Sequence, residues 1–262
     1  MTHYSVNENV HVYAVDQGEG VPVILLHGYC GSSQYWSKVA PSLSAHYRVI
    51  TPDLRGHGKS DAPNGAYTIE QMADDVLGLA DKLGLDQFVL LGHSLGGYIA
   101  LSVAERYSER LLGFGLIHST AYPDTEEGKQ NRLKAVETIQ AQGIASFVDN
   151  LVPKLFAPDH AQSAAAQLAR EIGYHTPPQG AVGAALAMRE RLDRTSVLHT
   201  TSLPVLLVAG EQDQIVPAEK LFIVDGTHIT QAAMKGVGHM GMFEDPDGLV
   251  DIVTPFISSL RS

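Results

Sequence analysis

An α/β protein with a mostly parallel sheet covered by helices on both faces is the fold class this chain predicts, on three observations. Short apolar runs alternate with helix-length segments along most of the 262 residues. Two of those runs, Val21–Leu26 and Leu203–Ala209, are apolar throughout rather than at every second residue, as expected of strands buried on both faces. Between the runs lies one long stretch, from 121 to about 198, that is rich in Ala and Gln and holds no convincing strand. The first two observations describe a layered core, 1–120 with 199–262. The third describes a helical insertion, 121–198, leaving and rejoining that core.

Taken in order, Val10–Val15 reads as a strand with Gln17 to Gly20 as its turn, and Val21–Leu26 as the next strand, ending in His27 and Gly28. Trp36 to Leu43 suits a short helix, and Arg48–Thr51 a strand. Thr68 and Gln71 have the spacing of a capping box, and apolar residues at Ile69, Met72, Val76, Leu79, Ala80 and Leu83 follow with helical period until Gly84 stops it. Phe88–Leu91 and Leu111–Ile117 are strands flanking a helix over 98–107. In the insertion, helices are expected near Glu127–Gln142, Ile144–Leu151, Ala161–Gly173 and Gln179–Arg191, punctuated by Pro153, Pro158 and the Pro177, Pro178 pair. Strands resume at Pro204–Ala209 and Ile229–Met234, and a helix over Pro246–Leu260 closes the chain.

Composition excludes several classes. A net charge of -11 and a pI near 5.5, with no basic stripe, exclude a phosphate-binding face and hence nucleic acid. No apolar run approaches the roughly 20 residues that span a bilayer, and the start MTHYSVNENV has neither the charged nor the apolar region of a signal peptide, so no membrane partner is expected. With Cys30 as the only cysteine no internal disulfide can form, and a cytoplasmic location is the expectation. Twelve histidines without HxH or HExxH spacing give no metal site. Nothing in the sequence fixes the oligomeric state.

The chemistry is carried by FVLLGHSLGGY, residues 88–98. A strand meets Gly92, His93, Ser94, Leu95, Gly96 and Gly97, and a helix follows, so a serine stands at the apex of an abrupt turn. A bare GxSxG arises by chance in roughly one chain in six of this composition, and the strand-before, helix-after context is what makes it informative. A neutral serine hydroxyl needs a base, a group to orient that base and donors for an oxyanion. The expected order is nucleophile, acid, histidine. Asp213 follows the Leu203–Ala209 strand, and His239 sits in the glycine-flanked loop between the last strand and the last helix. Glu211 and Asp124 are the competing acids. Leu95 N–H and the Tyr29 N–H are the expected oxyanion donors, with His27 and Gly28 shaping the loop that carries Tyr29. Ligands of such sheets bind beyond the carboxyl ends of the strands, so the insertion is read as a cap over the site.

LLHGYCGSS, DLRGHGKSD, GHSLGG, GEQDQIVP and GVGHMGMFEDP together resemble the α/β-hydrolase superfamily over almost the whole chain. The resemblance implies an eight-stranded, mostly parallel sheet with an inserted helical cap, no cofactor, and a triad of Ser94, Asp213 and His239. Serine at 94 separates the chain from the branches with an Asp nucleophile, the dehalogenases and most epoxide hydrolases. GIASFVDNLVPKLFAP and LAMRERLDRTSVL look like the cap of small-ester hydrolases and of enol-lactonases of the 3-oxoadipate type. The expected activity is therefore hydrolysis of a small carboxylic ester through an acyl-enzyme. A lactone substrate, cofactor-free haloperoxidase or perhydrolase chemistry, hydroxynitrile cleavage and a non-enzymatic small-molecule receptor are the rivals.

The remaining expectations concern the pocket. His93, His118, Tyr122, Phe147, Met188, Ile215 and Met240 are expected to wall it, with Phe156 a further candidate; for the cap members Phe147, Phe156 and Met188, packing within the cap competes. Arg189, Arg191 and Arg194 are candidate holders of a substrate carboxylate, against the usual reading of helix arginines as solvated. Asp53 with Arg55 to Gly58 reads as a charged turn, and Cys30 as a small packed side chain.

Overall fold

The computed structural model describes residues 2–260. Eight strands form one sheet in the order β1(Thr2–Asn7), β2(Val10–Gln17), β4(Arg48–Pro52), β3(Pro22–Leu26), β5(Phe88–His93), β6(Leu111–Ile117), β7(Val205–Gly210), β8(Ile229–Met234). The pairs β1–β2 and β2–β4 are antiparallel, and every pair from β4 onward is parallel. The nine α-helices among the described residues are α1(Ala40–Ser44), α2(Ile69–Lys82), α3(Leu95–Arg106), α4(Glu126–Leu155), α5(Ala164–Tyr174), α6(Pro178–Arg189), α7(Thr195–Thr200), α8(Gly241–Glu244) and α9(Pro246–Ser259). None of them is long and apolar enough to cross a membrane.

The continuous apolar runs are the central strands. β5 and β7 are buried at every position, and β3 at every position after Pro22, because helices cover both faces. The capping box at Thr68 is formed in full: its side chain accepts from Gln71 N, and Gln71 Oε1 accepts from Thr68 N. β1, by contrast, has no counterpart in the sequence reading. It is an edge strand whose residues are mostly exposed, so it lacks the apolar run that reveals the others.

The insertion departs from expectation in two ways. The helices read as 127–142 and 144–151 are both present within α4, separated at non-helical Gly143 (φ +85°, ψ 168°), but the second runs on through Pro153 to Leu155. Pro153 therefore does not end it. Met188, Phe156 and Val148 are buried, and α4 packs against both α5 and α6. α7, absent from the sequence reading, follows Arg194 and packs against α3.

Two buried histidines, His27 and His57, contribute to the protein's response to acid. His27 Nδ1 donates to Gly28 O (2.8 Å), and its Nε2 accepts from Leu54 N (2.9 Å), an arrangement that only the neutral ring supports. Burial pulls its pKa down to about 4, against the opposing pull of the Gly28 carbonyl. Burial, helped by the neighbouring His27, pulls His57 down to about 3. Folded pKa values below the unfolded 6.5 mean that the unfolded chain takes up protons first. Stability is then complete above about pH 6.5 and is lost progressively as pH falls toward 4 and 3. The melting temperature should decline steadily between pH 6.5 and 4.5 in scanning calorimetry; a flat profile would contradict this account.

Candidate active site

The turn after β5 is built by close backbone approach. A Cβ on Gly92 would lie 2.1 Å from the carbonyl oxygen of Gly96, so only glycine lets the strand run into α3 at this angle. Ser94, between them, holds φ +51°, ψ -113°. For a residue with a side chain this is a strained conformation, and the surroundings enforce it. Ser94 N donates to Ile117 O (3.0 Å), and Ser94 O accepts from Ser119 Oγ (2.7 Å). The loop after β3 passes alongside, since a Cβ on Gly28 would stand 3.2 Å from Ser94 Cβ. Among the described residues, neither the Tyr29 N–H nor the Leu95 N–H donates to another protein group. Both expected oxyanion amides are thus unclaimed.

Asp213 leaves β7 in a tight loop. Its Oδ1 accepts from Ile215 N (2.8 Å) and Val216 N (2.9 Å), and its Oδ2 accepts from His239 Nδ1 (2.8 Å). Burial alone would raise this carboxyl's pKa, but His239 and His118 beside it hold it far below the usual carboxylate range. With Nδ1 donating to a carboxylate, the neutral His239 ring carries its lone pair on Nε2. No hydrogen bond joins Nε2 to Ser94 Oγ in this structure. What ties the two loops is the backbone: His239 O accepts from His93 Nε2 (2.9 Å), and His93 immediately precedes the serine.

Two residues expected in the pocket wall serve instead as the bed of this arrangement. His93 and His118 are both buried. His118 holds φ +48°, accepts from Gly241 N on Nε2 (3.3 Å), and brings Nδ1 to 3.6 Å from Asp213 Oδ2. Burial lowers the pKa of both rings, with the neighbouring imidazoles adding to the effect, so both remain neutral and Asp213 is left as the anion. The reason for the correction is burial: His93 Nε2 is taken by the His239 carbonyl, and the His118 nitrogens lie against Gly241 N and the Asp213 carboxylate, while His93 Nδ1 is buried without a hydrogen-bond partner.

The other expectations divide. Phe147 packs edge-on against the Tyr29 ring (5.7 Å), whose hydroxyl donates to Ala181 O (2.9 Å), so these residues join cap to core beside the oxyanion loop. Met188 and Met240 are buried. Ile215 is 43% exposed and Tyr122 38% exposed, with the Tyr122 ring under Lys220 (5.5 Å). The three arginines are already committed: Arg189 to Glu190, Arg191 to Asp124 (2.6 Å), and Arg194 to Glu70 (2.5 Å) and Glu105 (2.9 Å). Asp124, the competing acid, is taken up by arginines and lies outside the histidine cluster. One cleft of about 590 Å³ is lined by Ser32, Gln34, Asp53, Lys59 and His175 among others and contains none of Ser94, Asp213 or His239, while a shallower one of about 580 Å³ is lined by Pro158, Glu211 and Asp213.

Glu244 was not singled out from the sequence. Its Oε1 accepts from Gly238 N (3.0 Å) and Met240 N (3.1 Å), the two residues flanking His239, while Oε2 accepts from Ala157 N (2.9 Å) and lies 3.0 Å from His160 Nδ1. A single buried carboxylate therefore sets the histidine loop. Its only sequence signal is a glutamate five positions beyond His239. Glu244→Ala would orphan three backbone donors, which costs on the order of 3 kcal/mol or more. Denaturant unfolding should register that loss, and an unchanged midpoint would remove Glu244 from this role.

A family model described as the alpha/beta hydrolase fold matches residues 21–246. Among curated proteins, 3-oxoadipate enol-lactonase 1 of Acinetobacter baylyi is 28% identical over 93% of this chain and 91% of its own length. The 2-(acetamidomethylene)succinate hydrolase of Mesorhizobium japonicum is 29% identical over 79% of this chain and 76% of its own. Among solved structures, a thermophilic esterase from Thermogutta terrifontis superposes with a TM-score of 0.94 at 30% identity, covering 100% of this chain and 99% of that one.

Proposed function

The chain belongs to the α/β-hydrolase fold family, and from that premise we propose that it hydrolyses small carboxylic esters through a covalent acyl-enzyme formed on Ser94. The observation that carries the reading is the 2.8 Å bond from His239 Nδ1 to a buried carboxylate, in a loop tied by His93 to the serine turn. It turns the basic Nε2 outward, toward the side from which a nucleophile must lose its proton.

The steps follow from that orientation. Ser94 Oγ adds to the ester carbonyl carbon while its proton passes to His239 Nε2. The carbonyl π electrons move onto oxygen, and the resulting oxyanion takes the unclaimed amides of Tyr29 and Leu95. Collapse of this intermediate breaks the carbon–oxygen bond, and His239 returns the proton to the departing alcohol. Water, giving a proton to the same Nε2, then adds to the acyl carbon, and the second collapse frees the carboxylic acid and restores Ser94. Asp213 holds the imidazole in one tautomer and offsets its charge when protonated. The 30% identical Thermogutta esterase supports an open ester as substrate.

A second reading is favoured by the 28% identical enol-lactonase: a lactone is an internal ester, and the same steps open it. In that case the freed hydroxyl stays on the acyl chain throughout, and water releases a single hydroxy acid, or its keto form from an enol-lactone.

Turnover of p-nitrophenyl acetate and butyrate should fall at least about a thousandfold in Ser94→Ala with unchanged melting temperature. A fluorophosphonate should label Ser94 in the wild-type protein alone. Comparable turnover by both proteins would end the proposal. Relative rates on γ-lactones and open esters decide between the two readings.

A further inference from the structure

The loop after β3 turns its corner in four residues, closed by Gly31 N donating to Gly28 O (3.1 Å), with Tyr29 and Cys30 in the middle. Cys30 holds φ +56°, a conformation that residues with a side chain keep only where neighbours enforce it. The core holds one side of this turn: Gly28 O also accepts from His27 Nδ1 (2.8 Å), and the His27 ring is fixed in turn by Leu54 N (2.9 Å). The insertion holds the other side. The Tyr29 ring is buried, with His57 of the core at 6.2 Å and Phe147 of α4 at 5.7 Å, and its hydroxyl donates to Ala181 O in the first turn of α6 (2.9 Å).

α6 is a firm anchor for that bond. A Cβ on Gly180 would lie 2.0 Å from Gly56 O, so the start of the helix rests main chain to main chain on the loop after β4. Two residues beyond Ala181, Gly183 O accepts from Tyr67 N (3.3 Å). The Ala181 carbonyl thus has a fixed place relative to the core, and the Tyr29 side chain passes that place on to its own backbone. Among the described residues the Tyr29 N–H donates to no protein group, and the turn that carries it lies beside Ser94, where a Cβ on Gly28 would stand 3.2 Å from Ser94 Cβ. Direction decides what such an amide can do. A hydrogen bond weakens steeply with misalignment, and an oxyanion donor acts fully only if it already points at the oxygen when charge develops.

We propose that the bond from the Tyr29 hydroxyl to Ala181 O aims the Tyr29 amide at the oxyanion, so that α6 of the insertion completes the oxyanion hole. The proposal rests on acylation of Ser94 with the Tyr29 amide receiving the charged oxygen, and it adds what sets that amide. The hydroxyl touches no reacting atom. It is a positioning group, and its loss is felt when the carbonyl oxygen becomes charged rather than when the ester binds.

Tyr29→Phe removes the hydroxyl and keeps the ring. On p-nitrophenyl butyrate its kcat should fall about tenfold or more, part of the loss expected when an oxyanion donor is removed outright, with KM within about twofold of wild type. The ketone 1,1,1-trifluoropentan-2-one checks the same point without turnover. Ser94 Oγ adds to its carbonyl carbon, the serine proton passes to His239, and the carbonyl oxygen becomes an alkoxide in the hole. Its inhibition constant should therefore rise in Tyr29→Phe by about the factor by which kcat/KM falls. Butyrate, a competitive inhibitor that forms no adduct, should bind both proteins alike. Tyr47→Phe is the control: it deletes a tyrosine hydroxyl hydrogen-bonded to Ser258 Oγ (2.8 Å) on α9, and should keep the wild-type kcat. The proposal is overturned by an unchanged kcat and inhibition constant in Tyr29→Phe, by a loss carried in KM or in butyrate binding, or by an equal kcat loss in Tyr47→Phe. In each of those outcomes the wild-type protein still turns over the ester, and the acyl-enzyme reading stands. A wild-type protein neither active on esters nor labelled at Ser94 by a fluorophosphonate defeats both.

Discussion

The structure depends on a backbone constraint at the end of the central strand. β5 turns into α3 with so little room that Gly92 and Gly96 touch main chain to main chain, and Ser94 is left in a conformation that side-chain-bearing residues avoid. Such strain persists only where neighbours over-determine it. Here β6 and the loop after it supply them: Ile117 takes the serine's amide and Ser119 its carbonyl. The same device recurs where the acid and histidine loops meet, since a Cβ on Gly210 would fall 2.1 Å from the carbonyl oxygen of Gly238. Close main-chain approach lets three distant segments share one rim.

Electrostatics at that rim follow from which groups can afford charge. His93, His118 and His239 cluster with ring centroids 5.0 to 6.1 Å apart around one carboxylate. Burial keeps His93 and His118 uncharged, and their hydrogen bonds to backbone hold them still. The Asp213 carboxylate then holds the His239 imidazole by its one short side-chain bond, beside two uncharged rings. Had either of the other rings been free to titrate, the field at His239 would change with it.

Much of this was legible in the sequence because it is local. Strand, turn and helix around Ser94 span eleven consecutive residues, and the loops bearing Asp213 and His239 each follow a strand that reads clearly as apolar. What escaped is non-local or lacks hydrophobic contrast. β1 is an edge strand with polar residues on both faces. Arg191 and Arg194 look like ordinary helix arginines because their partners stand far away in the chain: Asp124 for the first, Glu70 and Glu105 for the second.

Two of the fastenings between the helical insertion and the core differ in kind. At its neck, Arg194 N donates to Ala121 O (2.9 Å) and Arg191 Nε to Tyr122 O (3.1 Å), while the Arg194 side chain anchors to acids on α2 and α3. That end holds the insertion to the core without touching the rim chemistry. At the other end, Leu155 O accepts from His239 N itself (2.7 Å), and Glu244 bridges Ala157 to the residues on either side of the same histidine. A movement of the last turn of α4 would therefore act directly on the backbone of His239. The insertion thus reaches the His239 loop through one backbone hydrogen bond and one carboxylate, so the placement of the end of α4 and the placement of that imidazole are linked.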